Sequence, residues 1–402
     1  MNSRSGSLSG RLRWEQACNS LAAEMAARQA RGLTTIDLTE SNPTRVGLAY
    51  PEAELAEILG RAAASIDYPP HPLGLPEARQ ALAAALGTPG DDVEPDDLVL
   101  TASTSEAYSF LFKLFGDPGD EVLAAAPAYP LLDELAPLDG LALRSFRLEP
   151  GPRFALDAGE IERALTPRTR LLALVHPGNP TGTFLTKAEQ DAVVALCAGR
   201  RLPWICDEVF AGYALAGEAP GRAGAAAARD ETVAFSLGGL SKSAGLPGWK
   251  LGWIRVGGPA EEKRRLVAAL ERVADAYLSV STPVQRALGA VLAMAPRIRA
   301  AILGRLRHNL AVLEGAFQGL PAVDVYRPEG GWSAVLRLPR LAADEELVLG
   351  ALRHAGVLVH PGYFFDFPAD GFLVLSLLPD GEGFSAGIRR LAGYLGDLIA
   401  AA

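Results

Sequence analysis

The chain is poor in the residues from which metal sites, disulfide scaffolds and redox pairs are made. It has 402 residues but only 3 Cys, 5 His and 3 Met. Cys18, Cys197 and Cys206 form no CxxC pair, and an odd, scattered set of thiols fits a reducing cytosol better than a disulfide framework. His71, His176, His308, His354 and His360 fall at no metal-ligand spacing. Basic residues are also in deficit. The net charge of -9 argues against nucleic acid and against an anionic membrane surface as partners. The acidic residues are spread along the chain and read as a solvated surface. Long apolar runs are interrupted everywhere by Pro, Gly or charge, so no membrane span is expected, and Met1 to Arg13 lacks the apolar core of a signal peptide. There is no GxGxxG fingerprint. The run Gly238-Gly239-Leu240-Ser241-Lys242-Ser243 fails as a P-loop because Ser241 precedes the lysine. The same run fails as a Ser-x-x-Lys site and as a Gly-x-Ser-x-Gly elbow.

What is present is ample apolar material, 49% of residues, and a length that suggests about two to three domains. Helical spacing is expected over about 14–31, where Trp14, Ala17, Leu21 and Met25 share a face. Thr34 to Leu38 reads as a short strand, Glu40 to Thr44 as a loop, and Leu75 to Leu86 as a helix ended by Gly87. Short apolar runs then alternate with helices. The strand candidates are 98–100, 121–123, 141–146, 170–175, 204–206, 232–235 and 249–256; the helices include 105–115, 186–199 and 259–277. That alternation predicts an α/β fold with a mostly parallel sheet covered on both faces. A long helix over about 283–318, then strands near 332–338, 356–360 and 372–378, predicts a smaller α/β layer. The Ala-rich stretch Ala223 to Ala228 reads as biased composition rather than disorder.

Three polar residues follow strand candidates directly: Asn179 in Asn-Pro-Thr-Gly, Asp207 in Asp-Glu-Val-Phe, and Lys242. In such sheets ligands bind at the carboxyl ends of the strands. A lysine amine holds an aldehyde as a Schiff base. A buried carboxylate needs a cationic partner, and a protonated pyridine is one. An amide donates to a phenolic oxygen. Together they point to a site built around a pyridine aldehyde.

On these residues the chain resembles the class I/II aminotransferase family of pyridoxal-phosphate (PLP) enzymes, fold type I, from about Ile36 to about Leu378. The resemblance implies an amino group moved from an amino acid to a 2-oxo acid through a Schiff base on Lys242. It makes Asp207 the partner of the pyridine nitrogen, Asn179 the donor to the phenolic oxygen and Tyr129 the ring stacked on the pyridine. Ser103 and Thr104, at a strand end entering a helix, match the phosphate cup, with Ser241 and Lys250 completing it. Tyr68 matches a tyrosine lent to the partner subunit's phosphate, which implies a homodimer with shared sites. The implied architecture is a large PLP-binding domain, 45–282, and a small domain from both chain ends, 1–44 plus 283–402, in a cytoplasmic enzyme. Other PLP chemistry on the same fold, by a decarboxylase, C–S lyase or synthase, is the alternative. A PLP-binding regulator would carry a DNA-binding module ahead of Ile36, and the acidic chain argues against it.

Three positions depart from the family pattern. Lys250 stands where an arginine is usual on the phosphate, and lysine lacks the planar fork. Phe210 stands where many members have a tyrosine. Val374, in Phe372-Leu373-Val374-Leu375-Ser376, stands where an arginine grips the substrate carboxylate. Arg45 and Arg337 are candidate replacements; a substrate whose amine has no neighbouring carboxylate is the third option. Trp332 and Tyr363 are candidates for an apolar pocket, with core packing an equal reading.

Overall fold

The computed structural model describes residues 9–12, 19–216 and 221–401. Seven strands form the central sheet: β1 Leu98–Thr101, β2 Glu121–Ala126, β3 Ala142–Arg147, β4 Thr169–Val175, β5 Trp204–Asp207, β6 Ala234–Gly239 and β7 Gly252–Gly257. Their order is β1-β7-β6-β5-β4-β2-β3. Only β7 runs against its neighbours, so the other strands all end at one edge of the sheet.

The period-2 alternation of strand side chains sends successive residues to opposite faces. Leu171 and Ala173 of β4 pack in one apolar layer with Ile205, Phe235 and Ile254. Leu172 and Leu174 pack in the other with Trp204 and Cys206. Helices Thr104–Phe115 and Ala260–Asp275 contribute to the first layer. Helices Ala158–Ala164 and Lys187–Arg200 contribute to the second. Both faces are therefore dry, as a mostly parallel sheet requires.

Several strand boundaries differ from the sequence reading, and β2 runs on to Ala126. β6 starts later than Thr232 and runs through Gly238 and Gly239, and β7 starts at Gly252 after a 3-10 turn at Pro247–Trp249. The glycines there serve close approach rather than a turn. A Cβ on Gly238 would sit 2.4 Å from the Trp253 ring, and one on Gly239 would lie 3.3 Å from the Gly252 Cα. The Ala-rich stretch is ordered for a related reason: Ala227 packs so closely on β7 that a Cβ on Gly257 would meet its Cα at 2.5 Å. The first helix spans Ser20–Ala30, capped by Asn19; Trp14 and Ala17 lie outside the described residues.

A second sheet is antiparallel: β8 Asp324–Tyr326, β9 Ser333–Arg337, β10 His360–Pro361 and β11 Phe372–Ser376, in the order β8-β9-β11-β10. Beside it, Ile36–Asp37 pairs in parallel with Val357–Leu358 as a separate two-stranded sheet. Helix Thr282–Phe317, 36 residues long, ties the halves together. By length and composition it would suffice to cross a membrane, against the expectation that every apolar run is interrupted. Pro296, Arg297 and Arg299 do interrupt it, and Leu288, Val291, Ile298, Ile302, Leu306 and Leu313 bury one stripe in the core. Its buried polar residues are spent on the fold. Gln285 accepts from the Leu75 N–H at 2.6 Å, and Asn309 donates to the carbonyls of Leu377 and Pro379 at 2.9 and 2.8 Å. These are the contacts of a core helix.

Candidate active site

The strand ends of the central sheet and the face of the second sheet enclose a cavity of about 400 Å³. Thr104, Tyr129, Asn179, Asp207 and Lys242 line it, together with Phe210, Trp332, His360, Val374 and Ser376.

Asp207 is the last residue of β5, 7% exposed. Its carboxylate accepts the Val209 N–H at 3.1 Å and the hydroxyl of fully buried Tyr108. No Lys or Arg among the described residues pairs with it. Burial pushes its pKa up to about 6, against the pull of those two hydrogen bonds and of Lys242. A dry, unpaired carboxylate is costly unless a cation meets it.

Lys242 sits in the short helix Leu240–Ser243 that starts as β6 ends. The Tyr213 hydroxyl donates to the Lys242 carbonyl at 2.5 Å and Tyr50 donates to the Gly245 carbonyl at 2.7 Å, which fixes the turn. The Lys242 Nζ lies 4.7 Å from the Trp332 ring centroid and 5.6 Å from that of Phe210. Burial lowers its pKa, and Asp207 opposes that. A neutral amine fraction is what nucleophilic chemistry requires.

Asn179 follows β4 in a loop closed by Gly178 N–H to Thr183 O at 2.9 Å. Gly182 in this loop has φ +67. Peptides Ala126-Pro127, His176-Pro177 and Asn179-Pro180 are cis, a feature the sequence does not announce. The Tyr129 N–H donates to the Asn179 carbonyl at 2.8 Å, so the two loops are joined. The Tyr129 ring, half exposed, stands against Phe364 and Phe365, with centroids 6.4 and 6.3 Å away.

The remaining candidates lie off the cavity lining. Ser103 caps the helix Thr104–Phe115, accepting from the Glu106 N–H at 3.2 Å. Ser241 is partly buried beside Lys242, and Lys250 is exposed, with φ +50. Tyr68 is 58% exposed, in a separate small pocket with Gln285. Arg45 and Arg337 are exposed; Arg337 lines another groove, beside Asp324 and Arg340. Tyr363 is 53% exposed, also off the cavity. Trp332, in contrast, is 2% exposed and forms cavity wall.

The residues that the sequence reading missed are Tyr108, Arg153 and His360. Tyr108 had a signal: it is four residues after Thr104 on the same helix, hence on the same face. Arg153 and His360 had none, since strand pairing and a surface hairpin bring them in.

The donor set fits pyridoxal phosphate. Asp207 lacks a cation, the Lys242 amine faces it, and among the described residues no hydrogen bond ties the Asn179 side-chain amide to the protein. The sequence model described as Aminotransferase class I and II matches residues 36–381, and the chain belongs to that family. Its fold is fold type I, and it is a PLP-dependent aminotransferase. It is 30% identical to the aspartate/prephenate aminotransferase of Thermus thermophilus over 392 residues, 94% of this chain and 95% of that one. It is 28% identical to the alanine aminotransferase of Mycobacterium tuberculosis over 381 residues, 92% and 88% of the two chains. Among solved structures, the alanine aminotransferase of Pyrococcus furiosus superposes with a TM-score of 0.87 at 25% identity, covering 97% of this chain and 100% of that one.

Proposed function

We propose that amino transfer from an amino acid to a 2-oxo acid takes place in this cavity with the cofactor anchored on Lys242. When bound, pyridoxal phosphate supplies an electron sink for the bonds of the substrate Cα. The chain's own residues do the rest. The Lys242 amine, once free, moves a proton at the substrate Cα. Asp207 keeps the pyridine nitrogen protonated through a charge-assisted hydrogen bond, and the Tyr108 hydroxyl holds that carboxylate in place. The Asn179 amide donates to the phenolic oxygen, and the Tyr129 ring covers one face of the pyridine. Ser103, Thr104, Ser241 and Lys250 take the phosphate at the helix start.

The finer assignments belong to the same reading. Residues 45–282 form the cofactor-binding domain, and 1–44 with 283–402 the smaller one. A homodimer is supported by exposed Tyr68 and by Ile66 beside it, 100% exposed, which leave an apolar edge open to a second copy. A cytoplasmic setting is supported by Cys197 and Cys206, both free and buried.

The observation that carries the reading is Asp207, a buried carboxylate with no protein cation, facing a lysine amine of lowered pKa. The test is the visible spectrum of the purified protein, repeated with single amino acids and no acceptor. Loss of the yellow band with at least one donor is expected. A yellow protein that no amino acid bleaches would overturn amino transfer.

A further inference from the structure

A substrate carboxylate entering the cavity meets few free donors. The permanent cations of the lining are Lys242 and Arg153. Lys242 is committed to the cofactor. Arg153 is held by the protein's own acceptors: it donates to both Glu189 oxygens at 2.9 Å and to the Phe184 carbonyl at 2.6 Å, while its Nε, 3.6 Å from Glu329, is buried without a hydrogen bond. The rest of the charged lining, Asp133, Glu189, Asp207 and Asp366, repels an anion.

Across the sheet from Val374 stands His360. The antiparallel pair β10·β11 places the two residues directly opposite each other, so their side chains lie side by side on one face. Both line the cavity, and so does Ser376, two residues along β11 on the same face. The imidazole is held by rings rather than by hydrogen bonds. It stacks on Phe364 with centroids 5.2 Å apart and 5° between planes, and meets the Phe365 edge at 5.7 Å. Among the described residues neither ring nitrogen has a hydrogen-bond partner. Burial lowers the His360 pKa, and the charge of Asp37, whose Oδ1 already accepts from the Thr39 N–H and hydroxyl, opposes that. The Ser376 hydroxyl accepts from the Leu378 N–H at 3.2 Å and keeps its own proton to donate.

We propose that His360, with Ser376 beside it, holds the substrate's carboxylate at the place that Val374 leaves apolar. The proposal rests on the transaminase reading above. The imidazole is pre-oriented by its two aromatic neighbours, so it loses little rotamer freedom when the anion arrives. The neutral imidazole offers one N–H to the anion, and the arriving carboxylate itself favours the imidazolium, whose charge-assisted bond is stronger.

The test titrates the holoenzyme with 3-phenylpropionate, a carboxylate that has no amine to react, and follows the cofactor's visible band. The variants are H360F, which keeps the stacking, and H360R, which keeps a cation. H360F is expected to weaken binding about tenfold or more, and H360R to retain it. With amino acids, H360F is expected to raise the half-converting concentration while the limiting rate holds. A purely structural role would make both variants fall together, and that result overturns the proposal. So does equal binding by wild type and H360F, or a wild type that binds no carboxylate, which would favour an amine without one. If 3-phenylpropionate binds through His360 yet no amino acid bleaches the protein, the carboxylate site stands and the transamination reading falls.

Discussion

The edge of the seven-stranded sheet gives the cavity a lysine, a carboxylate and an amide, each delivered by a strand end. The four-stranded sheet opposite gives it valine, serine, histidine and an indole. The first surface is dry and electrostatically tense: burial pushes Asp207 up to about 6 and pushes the pKa of Lys242 down. The second is apolar and relaxed. Its polar atoms without a hydrogen-bond partner among the described residues include the buried Trp332 Nε1 and the His360 ring nitrogens. Chemistry common to a family belongs on the tense surface, where a misplaced group costs the reaction. Choice among substrates belongs on the relaxed one, where a side chain is exchangeable without loss of the cofactor.

The contrast can be broken from either side. Removing the nucleophile is the largest blow: Lys242→Ala should lower amino transfer by roughly 10⁴-fold or more and abolish the yellow band, checked by turnover and spectrum. Next comes the seam between the surfaces. Gly182 has φ +67, and a Cβ there would sit 2.4 Å from the Pro328 Cβ and 2.7 Å from the Gly330 carbonyl. Gly182→Ala should therefore cost about 2–4 kcal/mol in denaturant unfolding.

The tension itself is measurable. The folded pKa of Asp207, about 6, lies above its ordinary 3.8, so the cofactor-free fold binds the proton more tightly than the unfolded chain does. Its share of the stability should be lost as pH rises from about 4 to 6, by about 3 kcal/mol, and buried Glu208, raised to about 7, adds a fall of the same sign over an overlapping window. Asp207→Asn should remove the Asp207 share and leave that of Glu208, while also impairing the cofactor. Thermal melts of both cofactor-free proteins between pH 4 and 7 check it, and parallel curves would refute the tension. The smallest effect concerns Phe210, whose ring lies 5.6 Å from the Lys242 Nζ. Phe210→Tyr adds a donor near the phenolic oxygen and should lower the pH of the visible-band transition by up to ~1 unit. A titration without change would count against it.

Legibility in the sequence followed the same division. The strand-end residues Asn179, Asp207 and Lys242 were readable because turn chemistry and order along the chain locate them. The helices Pro76–Leu86, Thr104–Phe115 and Thr282–Phe317 were readable from apolar spacing. The wall was not. His360 opposes Val374 through a two-residue strand whose register no local pattern encodes. Arg45 and Arg337 looked usable because charge can be read from sequence and facing cannot. The end of β6 was misjudged because glycine pairs commonly mark turns, whereas here they make room for Trp253.

The helix Thr282–Phe317 gives the molecule a mechanical character as well. It is pinned to the start of helix Pro76–Leu86 by Gln285, and to the carbonyls beyond β11 by Asn309 and by Arg305, which donates to Leu378 and Pro379 at 3.3 and 3.1 Å. Pro296 removes one rung of its ladder between these anchors. From there to Phe317 the rod measures about 30 Å, so a swing of about 5° at Pro296 moves the far end ~3 Å. The helix has the geometry of a lever: any angular play at the one missing rung would be magnified along the rod that carries these anchors.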